Sequence, residues 1–497
     1  MAPESRDPIG ASASSPGGMT PTKRAALTSL FLLLACGDNG AGGAARCDDR
    51  TPCPGGQRCE AGRCVDALAD AGPRATPDAS DRGDASAPDG GESLAAFCEG
   101  EGPLIVVGDG AGSAEEDCAG RIAERSFRYA LCTCEGLVTS HTLRTDSFDS
   151  DMGPYTPGGR GGSVGTNGGG NSTARWDVGG ALWSSGDTGW TVAQPLEVGS
   201  ELHLASRLAG SEVEVARDAR VGGGIALDAL TVGGELRVPE GAAVAVDALA
   251  LGSEARGPVS VEDPCACGEG ELVDIAGFVA RYARENENAA IGLAPDALAD
   301  VAGETTLELP CGRYYLDRIS AGAPLTLRVT GRVALFVAGS ITANDAFRIV
   351  PEGDAEVDLF VGGDVTGAGA FAIGTAEAPA RARMYVGGDG TVNLSAATTF
   401  AGNLYAPRAE LVTAGAVEIF GAAFVRRLAA SGALDIHYDT AILEAGDDCG
   451  IPETCDSCGD CPSVQACIDG ACTSCRESSD CCAPLVCVEG ACVPELI

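Results

Sequence analysis

One short pattern recurs late in the chain, as Val337-Ala338-Gly339-Ser340-Ile341, Val361-Gly362-Gly363-Asp364-Val365 and Val386-Gly387-Gly388-Asp389. The copies are 24 and 25 residues apart, and related fragments occur earlier at residues 178–182, 198–202, 221–225 and 232–236. Repeats of 20 to 25 residues are typical of a β-solenoid, in which short strands stack from coil to coil and glycines turn the corners.

The residues between these fragments alternate in polarity, as strands with one buried face do. Examples are the segments at 212–215 (Glu-Val-Glu-Val) and 235–238 (Glu-Leu-Arg-Val). A β-sandwich with glycine-rich loops is the alternative fold, but a repeated Val-Gly-Gly corner is not expected there. The sequence therefore predicts a mainly β protein whose central domain, residues 96–445, is a β-solenoid.

One segment within this domain has helical rather than strand periodicity. Apolar residues fall at helical spacing within residues 271–288, at Leu272, Ile275, Val279 and Tyr282. The pattern predicts one short helix that packs on the solenoid or caps it.

The cysteine spacing Cys-x5-Cys-x5-Cys-x4-Cys occurs three times and predicts three small disulfide modules, at residues 47–65, 449–474 and 475–497. A glycine precedes the last cysteine of each copy by two residues, consistent with a tight turn of positive φ. The cysteines are Cys47, Cys53, Cys59 and Cys64; Cys455, Cys461, Cys467 and Cys472; and Cys475, Cys481, Cys487 and Cys492.

Each module can close its four cysteines in three ways. Pairing first to third and second to fourth is favoured here, because crossed bridges hold about 18 residues together without a core. Cys458 lies outside the repeated spacing. The remaining cysteines at Cys132, Cys134, Cys265, Cys267 and Cys311 could bind zinc, but an oxidising compartment favours bridges.

The amino-terminal residues resemble an export signal of a bacterial lipoprotein. Lys23 and Arg24 precede an apolar run that ends in Leu33-Leu34-Ala35-Cys36, which resembles the lipobox. We therefore expect residues 1–35 to be a signal peptide that starts functionally at Met19, and Cys36 to be acylated and anchored in a membrane. Removing Cys36 from 23 cysteines leaves an even number, and an ordinary secretory peptide is the alternative.

The sequence around the first cysteine module has little to bury. Residues 36–46 form a short tether, and residues 66–95, rich in Ala, Asp, Pro, Gly and Ser, form a flexible linker. The chain of 497 residues has 71 acidic and 33 basic residues, a net charge of -38, which excludes phosphate backbones as partners. Nucleic-acid binding is therefore not expected.

Three parts of the chain resemble known families. Residues 333–443, with the runs 402–407 (Gly-Asn-Leu-Tyr-Ala-Pro) and 436–439 (Ile-His-Tyr-Asp), resemble the β-helical tail of pilus-assembly PilX-like proteins. The Cys-x-Cys pairs and the run 309–314 (Leu-Pro-Cys-Gly-Arg-Tyr) are similar to myxobacterial cysteine-rich surface lipoproteins. The terminal modules resemble the Dickkopf amino-terminal cysteine-rich motif. The lipobox, followed by Gly37 where an inner-membrane retention signal would usually have aspartate, predicts an outer-membrane lipoprotein of the cell envelope.

Few residues suggest a metal or a catalytic centre. Asp146, Asp149 and Asp151 precede Gly153 at the alternating spacing of a calcium loop, although no glutamate closes it. His141, His203 and His437 are the only histidines and form no metal pair in sequence. The Gly-x-Ser-x-Gly motif at residues 161–165 lacks a preceding strand. We therefore predict no catalytic residues and no cofactor apart from this candidate calcium ion.

Three classes of function fit the sequence. The first is a non-catalytic envelope lipoprotein, a rigid β-helical stalk that presents disulfide modules for surface structure or adhesion. The second is a β-helix that binds or cleaves glycans, and a cleaving site would need Asp, Glu, Lys or Arg clustered on one groove of the solenoid. The third is a pilus-accessory protein. The expected partners are the membrane, through the lipid, and a cell-surface glycan or protein.

Overall fold

The computed structural model of the protein describes residues 57–60, 63–66, 94–101, 104–107, 115–445, 455–488 and 490–494. The chain divides into two compact units, Met1–Pro88 and Asp89–Ile497. In the first unit, strands Gln57–Glu60 and Arg63–Asp66 form an antiparallel hairpin with Cys59 opposite Cys64. The predicted positions Cys36, Cys47 and Cys53 lie outside the described residues.

The second unit contains a β-solenoid of about 14 turns, as the sequence predicts. Its strands pair in parallel from coil to coil, which excludes the β-sandwich alternative. Each coil contributes three short strands, so the wall of the solenoid has three faces. Two series of coils build it, the N-terminal coils (residues 131–256) and the C-terminal coils (residues 305–439).

Strands of the first face are Gly312–Leu316, Arg332–Val337, Glu356–Val361, Ala382–Val386, Val164–Thr166, Leu182–Ser184, Leu202–Leu204 and Ala219–Val221. Strands of the second face are Ile319–Ala321, Ile341–Ala343, Val365–Gly367, Thr391–Leu394, Gly169–Ser172 and Trp190–Val192. Strands of the third face are Thr305–Leu309, Leu325–Val329, Phe347–Pro351, Phe371–Ile373, Thr398–Ala401, Val417–Phe420, Leu434–Asp439, Leu143–Phe148, Trp176–Val178 and Leu196–Val198. Longer strands bend around corners: Leu131–Thr139, Asn403–Thr413, Ala423–Ala430, Leu208–Val215, Ile225–Val238 and Val244–Arg256.

The coils do not stack in the order of the chain. The last C-terminal coil lies directly against the first N-terminal coil, with Ala423 in register with Leu131 and Leu434 in register with Leu143. We call this contact the seam. The solenoid therefore runs from residue 305 to residue 439, crosses the seam to residue 131 and continues to residue 256.

The interior of the solenoid is a continuous stack of apolar side chains. Val361 and Val386 are in register one coil apart and both are fully buried, as the repeat predicts. The corner glycines are required by close packing between coils: a Cβ on Gly362 would lie 2.5 Å from the carbonyl oxygen of Ala338. A Cβ on Gly199 would lie 2.2 Å from the carbonyl oxygen of Gly179. No larger residue fits at either corner without a backbone shift.

Coil length varies along the solenoid. The register advances by 24 residues from Val333 to Val357 and by 25 from Val361 to Val386, as expected from the repeat. It advances by 17 residues from Leu202 to Ala219, fewer than the predicted 20 to 25. The register also advances by 17 residues from Val417 to Leu434 among the C-terminal coils and by 33 from Leu131 to Val164 in the first N-terminal coil, so the repeat predicts the length of only some coils.

The predicted helix is present but shorter than the predicted segment. It spans Ile275–Tyr282, begins at the N-cap Asp274 and packs on the outside of the first face. There, Phe278 stacks on Phe360 at 5.5 Å and Tyr282 on Phe336 at 4.1 Å between ring centroids. These contacts cover a ladder of aromatic rings that would otherwise be exposed.

Further helices lie outside the coils, and the sequence analysis did not predict them. The helix Ala119–Ser126 precedes the first coil, and its Ile122 and Ala123 are fully buried. The other helical segments are Leu94–Ala96, Phe97–Glu101 (a π-helix), Asn288–Ile291, and the 3-10 turns Pro379–Arg381 and Thr440–Glu444. Within the described residues, no helix is long and apolar enough to cross a membrane.

The two C-terminal modules share one architecture, a 3-10 turn followed by a hairpin. The turns are Cys458–Asp460 and Ser478–Asp480, and the hairpins are Ala466–Ile468 with Ala471–Thr473 and Val486–Val488 with Ala491–Val493. Gly470 and Gly490 have the positive φ, 80° and 90°, that their spacing predicts. In both hairpins the third and fourth cysteines of the module lie opposite each other on the two strands, as Cys59 and Cys64 do.

Candidate functional site at the seam

A groove on the third face of the solenoid crosses the seam. Its volume is about 650 Å³. Strands from both series of coils form its floor, and the loop after Leu143–Phe148 forms one wall. Six carboxylates line the groove: Asp146, Asp177, Glu197, Glu214, Glu418 and Asp435.

Five of these carboxylates, all except Asp146, are stacked because they occupy equivalent positions on the coils. Glu418 is in register with Asp435, which is in register with Arg144, and the series continues through Asp177, Glu197 and Glu214. Neighbouring parallel strands are about 4.8 Å apart, so the charges form a regular column. Cations interrupt it, with Arg144 Nε lying 3.8 Å from Asp177 and Arg175 hydrogen bonded to Glu197.

At the seam, His437 lies beside Asp146, from which it is separated by 291 residues in sequence. The Nδ1 atom of His437 is 2.7 Å from Asp146 Oδ1, and its Nε2 atom is 3.4 Å from Glu418 Oε1. Tyr155 donates a hydrogen bond of 2.7 Å from its hydroxyl to Asp146 Oδ2. Its ring also packs on His437, with 4.2 Å between the ring centroids.

The cluster shifts the protonation of its members. Burial alone would lower the pKa of His437, but the hydrogen bond and charge of Asp146, together with Glu418, outweigh it and raise that pKa. Burial raises the pKa of Asp435, and the charges of Arg144 and His437 offset this shift only in part. Burial and the hydrogen bond to Asp146 raise the pKa of Tyr155. His437 is therefore favoured as an imidazolium between carboxylates.

Asp146, Asp149 and Asp151, the residues of the predicted calcium loop, have different partners in the structure. Among the described residues, these three do not bring carboxylate oxygens together as a set of metal ligands. Asp146 lies on the strand and holds His437 and Tyr155, whereas Asp149 accepts a hydrogen bond of 3.0 Å from the backbone N–H of Asp151. The spacing is that of a turn that follows a strand, which places the carboxylates on different sides.

A second cleft, of about 1450 Å³, lies between the first face and the C-terminal modules. Trp183 and His203, in register on neighbouring coils, stack at 3.8 Å between ring centroids. His203 is buried and forms a hydrogen bond with Glu201, which lowers the pKa of that carboxyl. Burial and the nearby Arg125 lower the pKa of Arg128, also in this cleft, to about 10. The modules therefore dock against the solenoid wall.

The serine of the Gly-x-Ser-x-Gly motif has a structural position. Ser163 is buried, and its hydroxyl accepts a hydrogen bond of 3.0 Å from the backbone N–H of Ala181 on the next coil. The histidine His141 is exposed at the turn after the strand Leu131–Thr139.

The structure pairs the cysteines of both C-terminal modules first to third and second to fourth, the order favoured from their spacing. The bridges are Cys455–Cys467, Cys461–Cys472, Cys475–Cys487 and Cys481–Cys492. Six of these eight sulfurs form the only convergent groups of potential metal ligands among the described residues, and the groups are Cys455, Cys461 and Cys472, and Cys475, Cys481 and Cys492. As bridges they offer no thiolate to a metal ion.

Within the described parts of the chain, four further bridges join distant segments. Cys458 pairs with Cys482 and joins the two C-terminal modules. The others are Cys98–Cys311, Cys132–Cys265 and Cys134–Cys267. The last two fasten the segment after the N-terminal coils to the first coil at the seam. The five cysteines for which zinc was an alternative are therefore bridged.

The structure defines the class of protein as a β-solenoid with disulfide-bridged modules. Residues 271–445 match the family described as "Domain of unknown function (DUF7305)". That segment holds the helix Ile275–Tyr282 and all of the C-terminal coils. No curated protein and no solved structure matches the chain.

Sequence analysis missed the His437–Asp146–Tyr155 cluster, the carboxylate column and the Trp183–His203 stack. The partners in the cluster lie on the two sides of the seam, and no local pattern links residues so distant in sequence. The column had a weak signal: Asp177, Glu197 and Glu214 each follow an apolar residue at the same position of a coil. An alignment of the coils with each other could have found it.

Proposed function

We propose that this protein is a non-catalytic cell-envelope lipoprotein, a rigid solenoid that carries disulfide modules for surface structure or adhesion. The observation that carries this proposal is one apolar core that continues from Phe97, through every coil, to the C-terminal modules. Bridges that join residues 133 and 213 positions apart restrain the segments outside the coils. Such a body resists bending and proteolysis, as a structural component of a surface requires.

The lipid anchor and the outer-membrane location are parts of this proposal that depend on the sequence alone. The Leu33-Leu34-Ala35-Cys36 run supports acylation at Cys36, and Gly37 supports transfer to the outer membrane, since a retention signal would usually have aspartate there. The dense use of disulfides agrees with an exported protein.

Fractionation of cells that produce the wild type or Cys36→Ser tests the proposal. We expect the wild type in the membrane fraction with a lipid mass on its amino-terminal cysteine, and the variant in the soluble exported fraction. Protease treatment of intact cells then distinguishes surface from periplasm. A wild-type protein with an unmodified amino terminus elsewhere in the chain would contradict the anchor.

A glycan-binding function is the second candidate, and the seam groove favours it. A column of carboxylates beside Tyr155 offers hydrogen-bond acceptors to sugar hydroxyls along several coils. Net negative charge in the groove favours neutral or amino sugars over acidic ones.

Calorimetric titration with neutral and amino-sugar polysaccharides tests the second candidate. If the groove binds them, the double variant Asp177→Asn, Glu197→Gln should weaken binding at least about tenfold, the effect of losing about 1.4 kcal/mol. Glu235→Gln, on the first face, is the matched control and should not change it. Equal binding by both variants would assign the glycan to another surface, and release of new reducing ends would indicate cleavage.

A further inference from the structure

The two ends of the solenoid differ in whether other residues cover their strand edges. At the end formed by residues 305–320, the segment 287–301 supplies partners to the free strand edge. Backbone N–H groups of Asp317 and Ser320 donate to carbonyl oxygens of Pro295 and Leu298, and the Asn288 side chain hydrogen bonds with the backbone of Tyr315 on both of its polar atoms. Leu293 and Leu298 are buried over the last apolar layer. This end is capped.

The opposite end, formed by the strand Val244–Arg256, has no such cover among the described residues. The strand pairs with Ile225–Val238 on one side only and leaves an edge of 13 residues. The side chains that continue the apolar stack, Val244, Val246 and Leu251, are only partly buried, and Leu249 is 47% exposed. An open strand edge with exposed apolar residues is a surface that pairs readily with another strand.

Two charged residues occupy interior positions of this last coil. Glu254 is in register with Leu236, and Arg256 is in register with Val238. Each charged residue therefore occupies the position that a buried apolar residue has in the neighbouring coil. The two side chains form an ion pair of 2.8 Å between Arg256 Nη2 and Glu254 Oε1. The end of the solenoid is therefore charged on the first face and apolar on the other two.

This pattern is self-complementary under a two-fold rotation. A two-fold axis that passes through Ala255, perpendicular to the solenoid axis, reverses the direction of the strand in the second copy. Glu254 of each copy then faces Arg256 of the other. The same rotation exchanges the second and third faces. It sets Val244 against Leu251 and Val246 against Leu249, and it places Asp247 opposite Ala248, so no like charges meet.

From this complementarity we infer that two copies of the chain associate end to end through the strands Val244–Arg256, in an antiparallel pairing centred on Ala255. Growth stops at two because the two-fold contact occupies the open end of both copies, and the segment 287–301 covers the first and second faces of the opposite end. The assembly is a doubled solenoid with its capped ends outermost. This inference is independent of the proposed lipid anchor.

Sedimentation velocity of the purified protein at several concentrations tests the inference. The wild type should sediment as a dimer. Leu249→Asp, which puts a charge in the apolar contact, and Arg256→Glu, which sets glutamates against each other, should sediment as monomers with unchanged circular dichroism. The double variant Glu254→Arg, Arg256→Glu restores opposite charges across the axis and should sediment as a dimer again.

Val138→Asp is the matched control, because Val138 is equally exposed, at 51%, but lies at the seam, distant from this end. It should remain a dimer. A monomeric wild type would overturn the inference. The open end would then be covered by another protein or by another segment of the chain. A dimer that survives both Leu249→Asp and Arg256→Glu would overturn it too, since the contact would then lie elsewhere.

Discussion

A buried ion pair on the first face is the residue-scale feature with the largest expected effect on stability. Arg383 and Asp358, on neighbouring coils, are almost fully buried and share two hydrogen bonds of 2.7 and 3.2 Å. Burial would lower the pKa of Arg383, but Asp358 and Glu356 outweigh it and hold the pKa well above its ordinary value. The pair is stable because each charge satisfies the other in a dry environment.

We expect Asp358→Ala to lower the free energy of unfolding by about 3 kcal/mol, because it removes two hydrogen bonds to the buried Arg383 guanidinium and leaves Glu356 as its remaining carboxylate partner. Denaturant titration followed by circular dichroism measures the loss. Glu352→Ala is the control, because it breaks an exposed ion pair with Arg328 between neighbouring strands and should leave the midpoint unchanged. Equal effects of the two variants would contradict the importance of burial.

His437 gives the fold a predictable dependence on pH. Because its pKa is raised in the folded protein, the fold favours the imidazolium form. This contribution is complete below the ordinary pKa, 6.5, and is lost as the pH rises through the higher folded value. His437→Gln should therefore lower the melting temperature most at mildly acidic pH and progressively less above neutrality.

Thermal melting of the wild type and His437→Gln across this pH range measures the difference. His141→Gln, at an exposed turn, controls for the loss of a histidine as such. A destabilisation by His437→Gln that grows as the pH rises would show that the imidazolium is not what the cluster stabilises.

At the scale of elements, most of the coil was predictable from sequence. The Val-Gly-Gly fragments identified the corners, because a glycine is needed wherever one coil lies against the backbone of the next, as at Gly362. Alternation predicted the buried face of strands such as Leu208–Val215. The boundaries of the helix were not predictable, since Leu272 and Asn288 have helical spacing but lie outside the Ile275–Tyr282 helix.

Replacing a buried valine in the stack tests the coil as a unit. Val361→Asp or Val386→Asp should cost several kcal/mol, because either puts an unpaired carboxylate among apolar side chains. The damage should spread to neighbouring coils, since each coil is stabilised mainly by its neighbours. Hydrogen exchange measured by mass spectrometry should show lost protection in these coils and retained protection in the C-terminal modules.

The control for these variants is Val138→Asp, which places the same charge on an exposed position of another coil. It should change neither the melting temperature nor the exchange pattern. A Val361→Asp protein with unchanged melting, or with loss confined to one strand, would contradict the stacked arrangement.

For the whole molecule, the sequence could predict a solenoid but not the order of its coils. Repeat spacing gives the length of a coil but does not indicate which coil lies beside it. The seam depends on contacts between residues such as His437 and Asp146, which a local pattern cannot relate. The candidate site was not predictable for the same reason, because both series of coils form its floor. In the sequence its carboxylates are only isolated acidic residues.

A distance measured across the seam distinguishes the observed order of the coils from stacking in chain order. Val138 and Ala429 are in register on neighbouring strands, so spin labels on Val138→Cys and Ala429→Cys should be separated by little more than one strand spacing, about 5 Å, and should broaden each other's spectrum. If the coils stacked in chain order, about a dozen spacings, roughly 60 Å, would separate the labels. Strong dipolar broadening is the predicted result, and an unbroadened spectrum with a distance of several nanometres would contradict the fold described.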